Sequence, residues 1–304
     1  MPPIYLWNIA TQVPANAYTQ DFARDKMLAW VNGDKQRRLV RRVYDHSGIA
    51  TRHSVLSDFA ADSSQALFRT GPDGRPLEPG SRERNDRFAV ESRELAVTVA
   101  RRAIANCPGL ATGAITHVIT VSCTGFCNPG PDYYLVRDLG LNRTTARFAL
   151  GFMGCYAAVP ALRMAYDFCR AEPSAVVLVV CIELCSLHLR FGNGLDSLLA
   201  NAIFADGAAA VLVSAKALGP DPGCLRVDGF GTALIPAGEK DMAWRLGNHG
   251  FEITLSTYVP DLIAANIAAL IAPVLAAQRL TAQDIDLWAL HPGGKAIVDK
   301  LERE

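Results

Sequence analysis

The sequence predicts an α/β layered fold, and three observations carry that reading. Four short, nearly continuous apolar runs occur, HVITVSC (117–123), ARFALGF (146–152), AVVLVVCIE (175–183) and AAAVLVS (208–214). Runs without polar alternation suit strands covered on both faces. Stretches with apolar residues at helical spacing lie among them, and strands alternating with helices build sheets with helices outside. The third observation is internal: LATGAITHVITVSCTG (110–125) and LTAQDIDLWALHPGG (280–294) align Leu110 with Leu280 and Ile115 with Ile285. Each is followed by an apolar strand pattern and a Gly-containing turn. The offset of about 170 residues is domain-sized, not that of a solenoid repeat.

In chain order, the opening MPPIYLWNIATQVP has no basic start and no long apolar run, so it does not read as a signal peptide. KQRRLVRRVYDHSGI (35–49) reads as a basic helix running into a turn, with Arg38 and Arg42 on one face and Arg37 and Arg41 on another. RTGPDGRPLEPGSRER (69–84) is a Gly/Pro-rich surface loop. In RNDRFAVESRELAVTVARRAIA (84–105), Phe88, Leu95, Val99 and Ala103 recur near helical spacing with arginines opposite. A second helix follows Cys155, with Ala158, Leu162, Ala165 and Cys169 on one face. DPGCLRVDGFGTALIPAGEK (221–240) opens with turn residues and reads as a junction, dividing the chain into 1–220 and 221–304. The apolar stretch IAANIAALIAPVLAA is broken by Asn266 and Pro273 and reads as too short to span a bilayer. KAIVDKLERE is helical in pattern. By the 170-residue offset a second copy runs to about residue 385, so the second half is expected to be incomplete at its C-terminus.

Half of the 304 residues are apolar, enough for one large core or two fused ones. Thirty basic and thirty acidic side chains leave no net field to hold nucleic acid or an anionic membrane. Eight scattered cysteines do not form a disulfide framework, and a reduced cytoplasmic enzyme is expected. CTGFC and CIELC each place two cysteines four apart without further close ligands, so no metal site is expected. Cys107, Cys169, Cys181 and Cys224 read as structural.

Cys155 is different. It lies in GFMGCYAAVPALR (151–163), where an apolar strand gives way to a helix. A helix N-terminus favours the thiolate and so lowers a thiol pKa. Gly154, Ala157 and Ala158 leave room for an acyl chain beside the sulfur. His291 follows the strand-like DLWAL and precedes PGG, which puts an imidazole at a strand end.

GFMGCYAAVPALRMA (151–165), LLANAIFADGAAAVLV (198–213) and LHPGGKAIVDKLE (290–302) together resemble the thiolase superfamily, and within it the chalcone-synthase-like type III polyketide synthases. VSCTGFCNPGPDYYLVRDLGL (121–141) and VVCIELCSLHLR (179–190) fit the same family, and HPGG separates it from the initiating ketoacyl synthases. The resemblance implies a thiolase-like five-layered αβαβα sandwich of two similar halves, the second truncated here, and a homodimer. It implies an acyl-CoA starter loaded on a cysteine, extension with malonyl-CoA by decarboxylative Claisen condensation, then cyclisation. No cofactor, metal or carrier protein is implied beyond the CoA thioesters themselves.

By the same resemblance Cys155 is the nucleophile. His291 pairs with its thiolate and donates to the malonyl thioester oxygen as it becomes an enolate. Phe204 sets an apolar ring beside the malonyl carboxylate, favouring loss of carbon dioxide. Arg42 matches one CoA-binding basic position, His46 replaces a lysine at another, Arg38 shares the Arg42 face, and Leu39 departs from the pattern at a third. Cys123, Thr124, Cys185, His188 and Trp244 fall at cavity-lining positions. Cys123 and Cys185 stand where plant enzymes carry threonine, and Trp244 where they carry glycine, so an aliphatic acyl-CoA or malonyl-CoA is expected as starter. Asn128 lies in the loop that reaches toward the partner's cavity. The family's oxyanion-hole asparagine lies some thirty residues beyond the histidine, past the last residue here. Loss of one such donor costs about 10²–10³ in rate, so this chain is expected to be weak or inactive in extension. The alternatives are an initiating ketoacyl synthase-like acyltransferase and a non-catalytic truncated partner.

Overall fold

The computed structural model describes residues 2–59, 66–192, 194–219 and 224–303. Its elements in chain order are β1 (Ile4–Gln12), β2 (Asn16–Thr19), α1 (Gln20–Trp30), α2 (Asp34–Asp45), β3 (Thr51–Ser54), α3 (Ser81–Ala105), β4 (His117–Ser122), α4 (Pro131–Asp138), β5 (Ala146–Gly151) and α5 (Ala158–Ala171). They continue with β6 (Val176–Leu184), α6 (Leu195–Ile203), β7 (Asp206–Ser214), β8 (Cys224–Val227), β9 (Met242–Gly247), β10 (Gly250–Leu255), α7 (Val259–Ala277) and α8 (Lys295–Leu301).

The four apolar runs are β4 to β7, and they form four adjacent strands of a six-stranded sheet of order β5-β4-β6-β7-β1-β8. β5, β4 and β6 run parallel; β7, β1 and β8 join antiparallel. Because side chains alternate across a strand, β6 supplies two cores at once. Leu178, Val180 and Ile182 pack with Phe88, Leu95, Val99 and Ala103 of α3. Val177 and Val179 face Ala161, Ala165 and Cys169 of α5 on the other side. Each fully buried side chain of this kind contributes about 1.5–3 kcal/mol. β5 departs from the expected two-sided burial. It is the sheet's edge, and its residues alternate between half-buried and exposed.

β1 was not legible. Its run is interrupted by Asn8, which takes φ 45°, and the pairing with β7 shifts register between Trp7 and Ala10. The segment read as an interdomain junction likewise contributes β8, which hydrogen-bonds to β1 at the sheet's far edge.

Two expectations in the second half are corrected. DIDLWAL forms no strand: no strand lies alongside it among the described residues, and Leu287 and Trp288 are 85% and 43% exposed. A strand exists only through its neighbour's hydrogen bonds. The stretch read as too short to cross a bilayer belongs to a 19-residue helix, α7, which by length and composition alone is long and apolar enough. α7 begins four residues earlier than the pattern suggests, and only Val259 within it is buried. Asp261 on α7 pairs with Lys300 on α8.

The β9–β10 hairpin is clasped by the start of α3. Ser81 N donates to Asn248 O at 2.9 Å and Gly250 N donates to Ser81 Oγ at 2.8 Å. Gly250 has φ +96°, and a Cβ there would lie 2.7 Å from Cδ of the buried Arg84. Gly250→Ala is therefore expected to lower stability by about 1–3 kcal/mol, read as a shifted urea midpoint. Gly113→Ala, whose Cβ meets nothing within 4 Å, is the control and stays within about 0.5 kcal/mol.

Candidate active site

The carboxyl end of β6 runs into a 3₁₀ turn, Cys185–His188, and α6 ends beside it at Phe204. Between them and the hairpin lies a small cavity of about 20 Å³ lined by Cys185, His188, Phe204, Trp244 and Phe251, among others. Four sequence-predicted residues thus share one cavity. Rings form one part of its walls, with His188 stacked on Phe251 at 4.2 Å between ring centroids, and Arg190, Ser197 and Asn201 supply a polar part.

His188 is held on both nitrogens. Phe251 N donates to Nδ1 at 3.2 Å, so Nε2 carries the proton and donates to Thr124 O at 2.7 Å. Burial, reinforced by the Arg84 charge, pushes its pKa down to about 4. The ring is neutral at physiological pH and acts here as a shaped wall.

The turn after β4 brings Cys123 and Thr124 to the same place. Trp244 Nε1 donates to Cys123 O at 2.8 Å, linking hairpin and turn. Beneath them is Glu183 of β6, a residue the sequence reading passed over. Its carboxylate accepts from Cys123 N at 2.9 and 3.1 Å and from Thr124 Oγ1 at 2.8 Å, while Thr124 Oγ1 accepts from Leu184 N at 2.8 Å. Burial raises its pKa to about 7 against the pull of those hydrogen bonds. The available signal was a carboxylate inside an otherwise apolar strand run, rare without a reason.

Cys155 lies between β5 and α5 in a turn that needs φ 57° at Phe152 and φ +78° at Gly154. Gly154 N donates to Cys123 Sγ at 3.1 Å, which ties the Cys155 turn to the residue that holds Trp244. Cys155 is exposed as a residue, yet its thiol is enclosed enough that burial, and then the Glu183 charge, push its pKa up. This corrects the expected depression by a helix N-terminus. α5 starts only at Ala158, after an N-cap at Ala157, and the helix-end field fades beyond its first turn.

His291 is exposed, in the turn before α8, and among the described residues its ring makes no hydrogen bond, including to Cys155. Its neighbour Gly294 lies close to Ile203, at the end of α6 just before Phe204. The Phe204 carbonyl accepts from the buried Arg52, which also donates to Gln20 Oε1 at 3.3 Å. Asp206, one step further, accepts from Ser186 N, Ser186 Oγ and Val55 N at 2.7, 2.5 and 2.8 Å. Arg52, Asp206 and Phe251 were missed because their roles depend on distant partners.

The basic helix is α2. Arg38 and Arg42 are exposed with no ion pair among the described residues, and His46 caps the helix with Nδ1 2.9 Å from Arg42 O. Arg37 instead donates to Leu28 O at 2.7 Å. The turn after α2 touches Lys295 through Gly48, so α2 and the residues following His291 are adjacent. Lys295 is itself paired with Asp299 at 2.5 Å.

Comparison with known proteins places this geometry. The family model for chalcone and stilbene synthases matches its N-terminal domain to residues 3–217 and its C-terminal domain to residues 230–304. The alpha-pyrone synthesis polyketide synthase-like Pks18 of Mycobacterium tuberculosis is 33% identical over 297 residues, covering 97% of this chain and 73% of the relative. The 1,3,6,8-tetrahydroxynaphthalene synthase of Streptomyces coelicolor is 31% identical over 298 residues, 96% of this chain and 73% of the relative. Among solved structures, PKS-I from the brown alga Ectocarpus siliculosus superposes with a TM-score of 0.87 at 29% identity, covering 99% of this chain and 80% of that one. The Streptomyces coelicolor synthase structure gives 0.83 at 29% identity, covering 98% and 80%. The thiolase-like α/β fold expected from the sequence is that of these neighbours. With both family domains matched along nearly its whole length, the chain belongs to the chalcone and stilbene synthases, the type III polyketide synthases.

Proposed function

We propose that this chain carries an acyl group on Cys155 and extends it with malonyl units in the cavity bounded by His188, Phe204 and Trp244. The observation that carries the reading is the convergence of the 3₁₀ turn, α6 and the β9–β10 hairpin on that cavity, with the Cys155 turn linked to Trp244 in its lining through Gly154 and Cys123. In loading, the Cys155 sulfur attacks the thioester carbonyl and the CoA thiolate leaves. Because the free thiol is held above its ordinary pKa, ionisation is coupled to His291, which takes the proton as the occupied site closes around it. In extension, the malonyl carboxylate departs as carbon dioxide beside the Phe204 ring. The resulting enolate attacks the acyl carbon and releases Cys155 as leaving group, with the His291 N–H on the enolate oxygen.

The walls favour an aliphatic starter: Phe204, Trp244 and Phe251 offer apolar surface, and His188 is neutral. Arg38 and Arg42 are free to take CoA phosphates in bidentate fashion. A second copy is the partner we assign to the edge beside β5, where Phe126, Phe152, Met153, Tyr156 and Val159 are all exposed.

The test is release of labelled carbon dioxide from malonyl-CoA with octanoyl-CoA as starter. Wild type is expected to release it and to form an octanoyl-primed product, and Cys155→Ala to form none. Product from Cys155→Ala equal to wild type contradicts the reading. Arg38→Ala/Arg42→Ala is expected to raise the KM for malonyl-CoA about tenfold at low salt with kcat little changed, since each lost charge-assisted contact is worth about 1.5–3 kcal/mol before solvent screening.

Glu183→Gln tests the electrostatics. The carboxylate opposes Cys155 ionisation only while charged, that is above its pKa of about 7. The variant is expected to alkylate faster than wild type with iodoacetamide at pH 8. The two converge near pH 6, where wild-type Glu183 is largely protonated. Equal rates at pH 8, or a slower variant, contradict the assignment.

A further inference from the structure

Arg84 is the largest fully buried side chain of the molecule among the described residues, at 0% exposure, and it sits in the first turn of α3. Burying a guanidinium is costly unless its donors are used. Nη1 donates to Leu187 O at 2.5 Å and to Leu189 O at 3.0 Å, and Nε to Pro79 O at 3.0 Å. Nη2 has no partner. The group lies over the Phe68 ring at 5.0 Å. Glu78 answers its charge from a distance, being committed to Arg190 Nε at 2.9 Å and Phe191 N at 2.7 Å.

Leu187 and Leu189 flank His188. Their carbonyls emerge where the 3₁₀ turn stops, a place where backbone acceptors lack helical partners. We propose that Arg84, which lines no part of the cavity, is a positioning residue that fixes the His188 ring, and through it the Thr124 wall and the length of chain the cavity accepts. With the 187–188 and 189–190 peptide carbonyls pinned, one before His188 and one just beyond it, the ring has one orientation that satisfies Thr124 O and Phe251 N together. The same side chain backs the hairpin: Gly250 rests against Arg84 Cδ, directly before Phe251 on which His188 stacks. One residue therefore sets two of the cavity's walls.

The part concerning chain length rests on the proposed function; the part concerning His188 does not. Two readouts keep them apart, using the full chain with Arg84→Lys and Arg84→Met. In nitrogen-15 spectra of histidine-labelled protein without substrate, wild-type His188 is expected as a neutral Nε2–H tautomer unchanged from pH 8 to 6. In both variants that signal is expected to broaden or titrate within that range, less in Arg84→Lys than in Arg84→Met. With octanoyl-CoA and malonyl-CoA, the ratio of shorter to longer products is expected to change at least twofold, and to change no further when Arg84→Lys is combined with His188→Phe. An unaltered His188 signal in both variants overturns the proposal, as does a uniform loss of rate with an unchanged product ratio. Failure of both variants to fold marks Arg84 as a folding residue and also overturns it. If wild type makes no product, the proposed function fails, and the His188 signal still decides the positioning role.

Discussion

Glu183 joins the ends of two parallel strands. From β6 it accepts hydrogen bonds from the backbone and side chain of the two residues that follow β4, and those residues carry the cavity wall. Each β-strand delivers its chain to this end of the sheet, but nothing in strand pairing decides how the turn beyond it lies. The carboxylate makes that decision. Thr124, fixed by it, offers its carbonyl to His188; Cys123, fixed by it, offers its carbonyl to Trp244 and its sulfur to Gly154. The hairpin, the 3₁₀ turn and the Cys155 turn are all joined through these two residues. Substituting an apolar side chain for Glu183 leaves Cys123 N–H and Thr124 O–H without their acceptor, each a cost of about 1–3 kcal/mol.

The same carboxylate gives the site its electrostatic character. The Cys155 thiol, the proposed nucleophile, is surrounded by influences that resist its ionisation: burial, a nearby acid, and a helix start too far along the chain to compensate. The protein keeps Cys155 mostly as the thiol when the site is empty. That arrangement limits side reactions of an exposed cysteine, and under the proposed function activation falls to His291 once substrate is bound.

The first half of the fold was legible because its signals are local. β4, β6 and β7 announce themselves as apolar runs, and α3 and α5 as periodic stripes whose predicted inward residues Phe88, Leu95, Ala165 and Cys169 are buried. β1 failed because a bulge breaks its pattern. DLWAL failed because an apolar run becomes a strand only where another strand meets it. In the site, the family resemblance located Cys185, His188, Phe204 and Trp244, which do share a cavity. Glu183, Arg84 and Arg52 escaped notice for one reason. A charged residue in a sequence looks like surface, and its burial depends on carbonyls and amides more than a hundred residues away in the case of Arg84 and Arg52.

The proposed function turns on Cys155 being the sulfur that carries the growing chain. The most direct measurement is peptide mass mapping after brief exposure of the protein to octanoyl-CoA alone. The account predicts an octanoyl mass increment on the peptide containing Cys155, lost on treatment with hydroxylamine, and none on the peptides containing Cys123 or Cys185. An increment on either of those cysteines with Cys155 unmodified contradicts it.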